Sequence, residues 1–442
     1  MKRRKFLLST LGTTALVLPG MSCINRAGQA DGKNSPEFFA GLTLQEHHDE
    51  LKSLLYDEYL PFWDHGGYDK EYGGFICNLT ADGVPVDEEK FIWYQGRAIW
   101  VYAFLYNNIG RQSEFREIAR KTRDFMLKHM YLGEGRWAEL VLRDGTLVKG
   151  AEPGSDVYGW LFAANGLAEY HKISGDSADI SLVKESVRAA VKAYDTPFYQ
   201  KGTDLEGLRI QGHSMIFLRL LTQFLKDHDD QALEELMDFH LDKLMNSFYH
   251  PGYRISNERL NHDYSRITGE EGLMFLGHSL ETQWMVMHLA LQKQDKELFD
   301  KARGSFRRYL EMGWDYNFDG WASEDYHVFD GEDFNLGTDY TTKTMWAHTE
   351  ILIGCMMVIE TTGEAWAWDW YQRTWDYVKK TFRQGAGAWE QAVNRMGEPI
   401  SREKWGINPN RRGNYHQPRF LMLNMLSLDR MIRGKNRIIE NG

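Results

Sequence analysis

Helical periodicity repeated along the chain constrains its fold more than any other feature. Twelve segments carry apolar residues at helical spacing, and only ten prolines interrupt the 442 residues. Short turns join each even-numbered segment to the next one, whereas the longer gaps fall mostly before the even-numbered segments. The predicted helices are 44–62, 93–109, 112–131, 155–174, 178–198, 211–228, 230–249, 273–292, 294–313, 340–361, 363–383 and 414–433.

The longer gaps contain turn signals that predict β-hairpins. They carry Asp82-Gly83, Asp144-Gly145, Asp319-Gly320 and Met396-Gly397. An Asp-Gly pair between alternating apolar runs is typical of a two-residue hairpin turn. Helix pairs with short turns at one end and hairpin-bearing loops at the other predict an all-α fold, a closed (α/α)6 barrel of six helical hairpins. A helical solenoid is the alternative, but the strongly apolar even-numbered helices favour closure.

A closed barrel of this kind fixes where a functional site would lie. The even-numbered helices would form the inner ring and run in the same direction. Their N-terminal ends, together with the loops that precede them, would then meet at one mouth. Residues near those helix starts can therefore converge although they are far apart in the sequence.

The first 37 residues differ from the rest of the chain. Lys2–Lys5 are charged, and Phe6–Leu18 form an apolar run too short to span a membrane, which is typical of an export signal. The Arg3-Arg4 pair resembles a twin-arginine signal. Gly20–Cys23 resembles a lipoprotein box, although such boxes usually carry Leu where Gly20 stands. We therefore expect an export signal at 1–23, a tether at 24–37 and one barrel domain at 38–442, in a bacterial protein that is periplasmic or membrane-anchored through Cys23.

Charge and composition narrow the classes of partner. The formal net charge is −11 without a basic stripe, which argues against a nucleic-acid partner. Fifteen Trp and twenty-two Tyr suit a carbohydrate site, because flat rings cover the C–H faces of a sugar. The chain has no HExxH, P-loop or GxSxG motif, so metalloprotease, nucleotide hydrolase and serine hydrolase functions lack support. Cys77 and Cys355 are interpreted as small buried residues.

Gly277-His278-Ser279-Leu280-Glu281 lies near the start of the eighth predicted helix. Ser279 would be its N-cap if the helix begins late. Glu281 and Trp284 share the His278 side of that helix, and a carboxylate beside a histidine suits acid/base catalysis. Taken alone, the pattern is more typical of a capped helix start with a structural histidine.

Asn414-Tyr415-His416-Gln417-Pro418-Arg419 opens the twelfth predicted helix. Pro418 suits the first turn of a helix, which places His416 in the loop at the predicted mouth. The positive end of a helix disfavours the imidazolium ion and keeps a histidine neutral, ready to act as a base. A loop histidine that caps a turn is the alternative.

Three further helices supply candidate residues for the same mouth. Arg97 and Tyr94, at the start of the second helix, could contact a sugar oxygen, and Arg97 could stabilise an enediolate. Lys343, Trp346 and Glu350 share one face of the tenth helix and could line the cavity. His348 falls near the opposite face and is interpreted as structural. His213 opens the sixth helix and could reach the mouth.

With these motifs, the chain resembles the N-acylglucosamine 2-epimerase family, which also includes cellobiose 2-epimerases and aldose–ketose isomerases. The similarity runs from about Leu44 to Leu428. The matching segments are Asp69–Phe75, Trp93–Trp100, Leu142–Val148, Gly277–Trp284, Met345–Glu350 and Tyr415–Leu421. The resemblance implies an (α/α)6 barrel that acts on a mono- or disaccharide, without a metal or other cofactor.

The resemblance also implies roles for individual residues. His278 and His416 match the two catalytic histidines of the family. The residues that match the sugar site are Arg97, Glu281, Trp346, Glu350 and Arg419. One histidine would remove the proton from C2 of an open-chain aldose, and the other would return a proton to the opposite face. Arg97 would neutralise charge on the C1 oxygen, and Glu281 would orient His278. We expect a 2-epimerase acting on N-acetylglucosamine and N-acetylmannosamine or a related aldose, and a homodimer is left open.

Three alternatives remain at this point. An aldose–ketose isomerase of the same family would return the proton to C1. A glycoside hydrolase or unsaturated glucuronyl hydrolase on the same barrel needs two carboxylates that flank a glycosidic bond, for which Asp156, Asp339 and Glu350 are candidates. A non-catalytic sugar-binding protein would keep the aromatic residues but lose one histidine.

Overall fold

The computed structural model describes residues 38–39, 41–152, 156–316, 318–320, 326–327, 342–383, 388–403 and 406–439. These residues belong to one compact unit, residues 36–442. The predicted export signal and tether, residues 1–37, lie outside the described residues. Within the described residues, every helix is too short or too polar to cross a lipid bilayer.

Helices dominate the described part of the chain. In chain order they are α1 Leu44–Ser53, α2 Leu60–Phe62, α3 Ile92–Phe104, α4 Ser113–His129, α5 Tyr158–Ser174, α6 Ser177–Tyr194, α7 Gln211–Phe224, α8 Gln231–Asp242, α9 Leu276–Lys293, α10 Lys296–Gly313, α11 Met345–Thr362, α12 Ala365–Thr381 and α13 His416–Ile432. Short π-helical segments follow α1, α2, α3 and α8, at Leu54–Tyr59, Trp63–Gly67, Leu105–Ile109 and Lys243–Ser247.

Burial separates these helices into two rings. Most residues of α5, α9 and α11 are buried, whereas α4 and α10 are amphipathic and bury only one stripe. Contacts run from α3 to α5, α7, α9, α11 and α13 in turn, so these six helices form the inner ring. The outer ring consists of the α1–α2 run, α4, α6, α8, α10 and α12.

The inner ring closes between its first and last members. The Asn414 side chain, just before α13, donates a hydrogen bond to the Tyr94 carbonyl in α3 at 3.0 Å. The rings of Trp100 and Tyr415 pack edge to face at 5.3 Å across the same seam. Closure buries the apolar sides of both helices, so the predicted (α/α)6 barrel is confirmed and the solenoid alternative is wrong.

Short antiparallel strands lie in the loops, several of them directly before inner helices. The strands are β1 Phe38–Phe39, β2 Leu42–Thr43, β3 Lys90–Phe91, β4 Leu140–Val141, β5 Leu147–Lys149, β6 Arg209–Ile210, β7 Tyr249–His250, β8 Ile255–Ser256, β9 Arg259–Leu260, β10 Leu273–Met274, β11 Tyr326–His327, β12 Lys343–Thr344 and β13 Ala392–Val393. The pairs are β1–β2, β3–β4–β5, β6–β9, β7–β8, β10–β11 and β12–β13. Strands β3, β6 and β12 run directly into α3, α7 and α11, which fixes how these helices enter the barrel.

The hairpin predictions are confirmed in part. Asp144-Gly145 joins β4 to β5 as expected. Around Gly83 and Gly397 the pairing shrinks to single bridges, Leu79 with Pro85 and Val393 with Pro399. The segment around Asp319-Gly320 lies largely outside the described residues.

Two helix starts differ from their predictions. Helix α9 begins at Leu276, so Ser279 lies inside its first turn and its N–H bonds to the Phe275 carbonyl instead of capping the helix. Helix α13 begins at His416 itself, with Pro418 in the first turn as predicted. Phe275, in extended backbone, occupies the N-cap position, so α9 starts without a side-chain cap and Ser279 is left within the helix.

Helices α3 and α5 approach closely at glycine. A Cβ atom on Gly96 would stand 2.4 Å from the Phe162 carbonyl group of α5, and one on Gly166 would stand 2.4 Å from the Gly96 carbonyl. Close backbone contact of this kind leaves no room for a methyl group. Arg97 and Tyr158 are carried by these two helices, so the spacing of the helices sets their separation.

We expect Gly96→Ala to lower the free energy of unfolding by about 1–3 kcal/mol, because the new methyl group forces α3 and α5 apart. Urea denaturation measures the effect. Gly304→Ala is the matched control, since Gly304 is helical and exposed with open space around it. That change should stabilise the protein by up to about 1 kcal/mol. Equal effects of the two substitutions would contradict the packing described here.

Candidate active site

His278 lies in the first turn of α9, at the end of the barrel where the inner helices begin. Its Nδ1 is 2.9 Å from Oε1 of Glu258, in the loop between β8 and β9. Its side chain is 22% exposed, so the ring is held by protein on one side and reachable on another. Gly212, at the start of α7, leaves room for the His278 ring next to that helix, because a Cβ atom there would stand 3.0 Å from the imidazole.

His416 is the first residue of α13 and faces the same space. Its Nδ1 is 2.8 Å from Oε1 of Glu350 and 3.2 Å from a guanidinium nitrogen of Arg419. Burial, followed by the charge of Arg419, holds the pKa of His416 well below its usual value. His416 is therefore neutral at neutral pH.

Trp346, at the start of α11, lies between the two histidines. The centroid of its ring is 5.5 Å from that of His278 and 5.4 Å from that of His416. Gly277 makes room for the indole, since a Cβ atom there would stand 2.4 Å from it. The two imidazoles, which are 138 positions apart in the sequence, therefore border one aromatic surface.

A buried ion cluster supports His416 from below. The Arg419 guanidinium contacts both the Glu281 and the Glu350 carboxylates, the latter at 2.6 Å. Trp284 donates its indole N–H to the second oxygen of Glu350 at 2.9 Å. Burial raises the pKa of Glu350, partly offset by the charge of Arg419. Burial by itself would lower the pKa of Arg419, but Glu350 and Glu281 outweigh this and raise it.

Glu281, Glu350 and His416 place three potential ligand atoms within 4.8 Å of one another. The Arg419 guanidinium already contacts both carboxylates, and its positive charge offsets part of theirs. This arrangement differs from the expectation that Glu281 orients His278. Glu281 pairs with Arg419, and Glu258 holds His278 instead, because the first turn of α9 points the two side chains to different neighbours.

A carboxylate lies beside Nδ1 of each histidine, Glu258 at His278 and Glu350 at His416. Because a carboxylate accepts hydrogen bonds, the contact at His278 favours the tautomer with the proton on Nδ1 and the lone pair on Nε2. At His416, Nδ1 also lies near a guanidinium nitrogen of Arg419, which can only donate, so the two contacts favour opposite tautomers.

Arg97, from α3, lies across Tyr415 from the ion cluster. Its guanidinium is over the rings of Phe162 at 4.2 Å and Tyr415 at 5.1 Å, and it donates to the Tyr158 hydroxyl at 3.3 Å. Its Nε is buried and has no hydrogen-bond partner among the described residues. Aromatic faces hold the cation without neutralising it, which leaves its charge available to a ligand.

His213 belongs to a neighbouring constellation on α7. Its Nε2 is 3.0 Å from Asp156 and 3.1 Å from the Tyr199 hydroxyl. Burial would raise the pKa of Asp156, but His213 outweighs it and lowers that pKa. The His213 ring also packs edge to face on Tyr158, so it extends the wall that holds Arg97.

Some expected residues lie elsewhere. Tyr94 packs with Cys77 and Phe91 in a small separate cluster, and its carbonyl rather than its side chain bonds toward α13. Lys343 is in β12, where it pairs with Asp315 and donates to the Arg395 carbonyl, so it holds loops together instead of lining the cavity. His348 is buried and donates to the Thr344 carbonyl, in agreement with its structural interpretation.

The hydrolase candidates are already engaged in other interactions. Asp156 is bound to His213, and Glu350 to Arg419 and His416. Asp339 lies outside the described residues. The two thiols are buried and free, so Cys77 and Cys355 form no disulfide with each other.

Comparison with known proteins identifies the family of the chain. The sequence profile of N-acylglucosamine 2-epimerase (GlcNAc 2-epimerase) matches residues 73–416. The chain belongs to the N-acylglucosamine 2-epimerase family. N-acylglucosamine 2-epimerase of Rattus norvegicus is 25% identical over 392 residues, which cover 83% of this chain and 88% of the rat protein. Cellobiose 2-epimerase of Bacteroides fragilis is 26% identical over 204 residues, 46% of this chain and 47% of that protein.

Solved structures of the family share the fold. Cellobiose 2-epimerase from Bacillus thermoamylovorans B4167 superposes with a TM-score of 0.72 at 17% identity, covering 86% of this chain and 99% of that one. Membership in this family makes the chain a carbohydrate 2-epimerase, an isomerase. The matched region ends at His416 and includes His278, so both histidines fall inside it.

Sequence reasoning missed the carboxylate that holds His278. Glu258 lies in a polar loop between two short strands, twenty residues before its partner, and nothing in its spacing indicates that contact. Only the pairing of β6 with β9 brings this loop to the start of α7 and α9. Asp156 and Tyr199, the two partners of His213, were likewise not predictable as a group from the sequence.

Buried neutral histidines make the stability of this protein sensitive to acid. Burial lowers the pKa of His240 and of His348 to about 3. Above pH 6.5 each histidine is neutral in the folded and in the unfolded protein, so these two histidines do not change the pH dependence of stability there. As the pH falls from about 6.5 toward 3, the unfolded chain takes up protons that the folded protein refuses, and stability is lost.

We expect His240→Gln to reduce this loss by about 1.4 kcal/mol for each pH unit below 6.5. The free energy of unfolding in urea at pH 7.5 and pH 5.5 measures it. His65→Gln is the control, because His65 is exposed and should leave the pH dependence unchanged. A wild-type stability that is the same at both pH values would refute the expectation.

Proposed function

We propose that this protein interconverts N-acetylglucosamine and N-acetylmannosamine, or a related pair of aldoses, by moving the proton at C2. One observation carries the proposal. Two histidines, each with a carboxylate beside Nδ1, border the same indole of Trp346. Inversion at a carbon needs two acid/base groups on opposite faces of the substrate, and this pair supplies them.

The surroundings of His416 suggest which histidine acts as the base. His416 is neutral, because burial and Arg419 disfavour its imidazolium form, and it is the base that removes the C2 proton of the open-chain aldehyde. The electrons move into the C1 carbonyl and give an enediolate. His278, which lies beside the Glu258 carboxylate, is the group proposed to return a proton to the other face of C2. The reverse reaction exchanges the two roles.

Charge on the C1 oxygen needs a partner while the enediolate exists. Arg97 is suited to this role, since aromatic rings surround its guanidinium and a buried Nε lacks a hydrogen-bond partner within the described residues. A preorganised cation in such surroundings stabilises developing negative charge more strongly than one in water. The Trp346 ring would cover the C–H face of the sugar.

Proton NMR in D2O tests the reaction. The purified protein is incubated in turn with N-acetylglucosamine, N-acetylmannosamine, glucose, mannose and cellobiose. A 2-epimerase produces the C2 epimer with deuterium at C2. Formation of a ketose would identify the aldose–ketose isomerase, and release of monosaccharide from cellobiose without epimer would identify a hydrolase.

We expect His278→Asn and His416→Asn each to lower kcat by about 10²–10⁴-fold, because each substitution removes one proton carrier. A second readout uses D2O and starts from the sugar on which His416 acts as base. In the wild type the C2 proton of that sugar exchanges for deuterium before epimerisation, and this exchange should be absent in His416→Asn. His65→Asn, on the exposed surface, serves as the control and should retain wild-type turnover. Full turnover in either active-site variant would rule out the paired mechanism.

Glu258 is proposed as a positioning residue for His278. We expect Glu258→Ala to lower kcat by about 10–100-fold with little change in KM, because the imidazole loses its orientation. Glu258→Gln should recover part of the loss, since an amide oxygen still accepts the Nδ1–H bond. Glu270→Ala is the matched control in the next loop, between β9 and β10, where Glu270 pairs with Arg259. If Glu258→Ala and Glu270→Ala behave alike, Glu258 has no positioning role.

We also propose that the protein is exported and attached to a membrane through Cys23. The support is the order of charged, apolar and small residues in 1–23. We expect the full chain, produced in a bacterial host, to fractionate with membranes, and Cys23→Ser to release it into the soluble periplasmic fraction. Identical fractionation of both proteins would argue against lipidation.

A further inference from the structure

A cavity of about 270 Å³ lies between the six inner helices, toward their C-terminal ends. Each inner helix contributes to its wall, with Phe104, Glu169, Arg219, His288, Ile353 and Leu423. The two histidines of the candidate active site lie at the other ends of these helices. The cavity is therefore distinct from the space where a sugar would react.

Arg219 is the cation most deeply placed in this cavity. It is only 4% exposed, and its guanidinium lies over the Trp284 ring at 5.2 Å. One terminal nitrogen is 3.0 Å from Nδ1 of His288, and Nε is buried without a hydrogen-bond partner. Among the described residues, no carboxylate lies within ion-pair distance of it.

A buried guanidinium without a counter-charge is unfavourable, because it loses hydration and gains no ion pair in return. Burial lowers the pKa of Arg219 to about 10, so the group still carries its charge at neutral pH. Arg219 can only donate hydrogen bonds, so His288 must accept at Nδ1 and carry its proton on Nε2. That N–H is a second donor at the cavity wall.

Most of the other basic residues that line this cavity, unlike Arg219, pair with carboxylates. Lys172 pairs with Glu169 and Asp227, and Arg430 and Arg437 share Glu360. Lys226, exposed at the rim one turn beyond Gln223, has no such partner within the described part of the chain. The five basic side chains face three carboxylates, which leaves a net charge of +2 at this cavity. Arg219 and Lys226 are the two that pair with no carboxylate of the described residues.

We propose that this cavity binds a small oxyanion of the phosphate class, held by Arg219, Lys226 and the Nε2–H of His288. The volume is below the roughly 300–1,000 Å³ of sites for drug-sized ligands, which favours a small anion. The chain as a whole has a formal net charge of −11, which repels anions in general. Binding of an anion in this cavity would therefore depend on its local positive charges.

The anion would lie behind the active site and not in it. Trp284 separates the two, since its ring face is under Arg219 while its N–H donates to Glu350. The inference is independent of the sugar chemistry proposed above. Binding can be measured without any sugar, so failure of either proposal leaves the other one testable.

Isothermal titration calorimetry with inorganic phosphate tests the site, using the full-length protein in a phosphate-free buffer held at constant ionic strength with chloride. We expect saturable binding and a rise in the midpoint of thermal unfolding at saturating phosphate. Arg219→Gln should weaken the affinity by about ten- to hundredfold, because it removes charge-assisted hydrogen bonds. Lys226→Gln should weaken it less.

Lys128→Gln is the matched control, because Lys128 is exposed on the outer helix α4 and should leave binding unchanged. Arg219→Gln should be at least as stable as the wild type without phosphate, since it removes a buried unpaired charge. If it fails to fold, the comparison of Lys226→Gln with Lys128→Gln decides. Absence of binding to the wild type, or equal phosphate effects in Lys226→Gln and Lys128→Gln, would overturn the proposal.

Discussion

The buried guanidinium of Arg419 is the interaction on which the candidate active site depends. It joins Glu281 of α9, Glu350 of α11 and His416 of α13, so one cation fixes three inner helices relative to one another. Burial, with the charge of Arg419 second, keeps His416 neutral, and the same charge limits the rise in the pKa of Glu350. Loss of this cation would leave two buried carboxylates next to each other without a counter-charge, which is among the most unfavourable arrangements in a protein interior. Arg419 therefore influences both the packing of α9, α11 and α13 and the protonation of His416.

The barrel explains why such residues meet at all. All six inner helices start at the same end, and short strands lead directly into several of them, so the first turns of α9, α11 and α13 face one space. Glycines at Gly212 and Gly277 then let His278 and Trp346 approach the neighbouring helices. The opposite ends of the same helices enclose a second, cationic cavity around Arg219. One scaffold thus presents two environments of different charge, separated by Trp284.

Much of this was predictable from patterns within single segments. The alternation of helix pairs and long gaps predicted the closed ring, and the motifs around His278 and His416 placed both histidines at helix starts. Contacts between distant segments were not predictable in the same way. Glu281 looked like the partner of His278 because it is three residues away, yet the contact goes to Glu258 across a loop. Lys343 shared a helical face with Trp346 by spacing, but it lies in a strand and binds Asp315.

The sequence by itself determined the fold class, the family and the chemical types at the mouth of the barrel, because periodicity and local motifs are properties of contiguous residues. Tertiary structure alone decided which carboxylate serves which histidine, that Arg97 is surrounded by aromatic rings, and that Arg219 faces a cavity without a carboxylate partner among the described residues. Those outcomes depend on loop paths and helix approach distances. Pairing energies of buried charges vary steeply with such distances, and no local pattern in the chain encodes them.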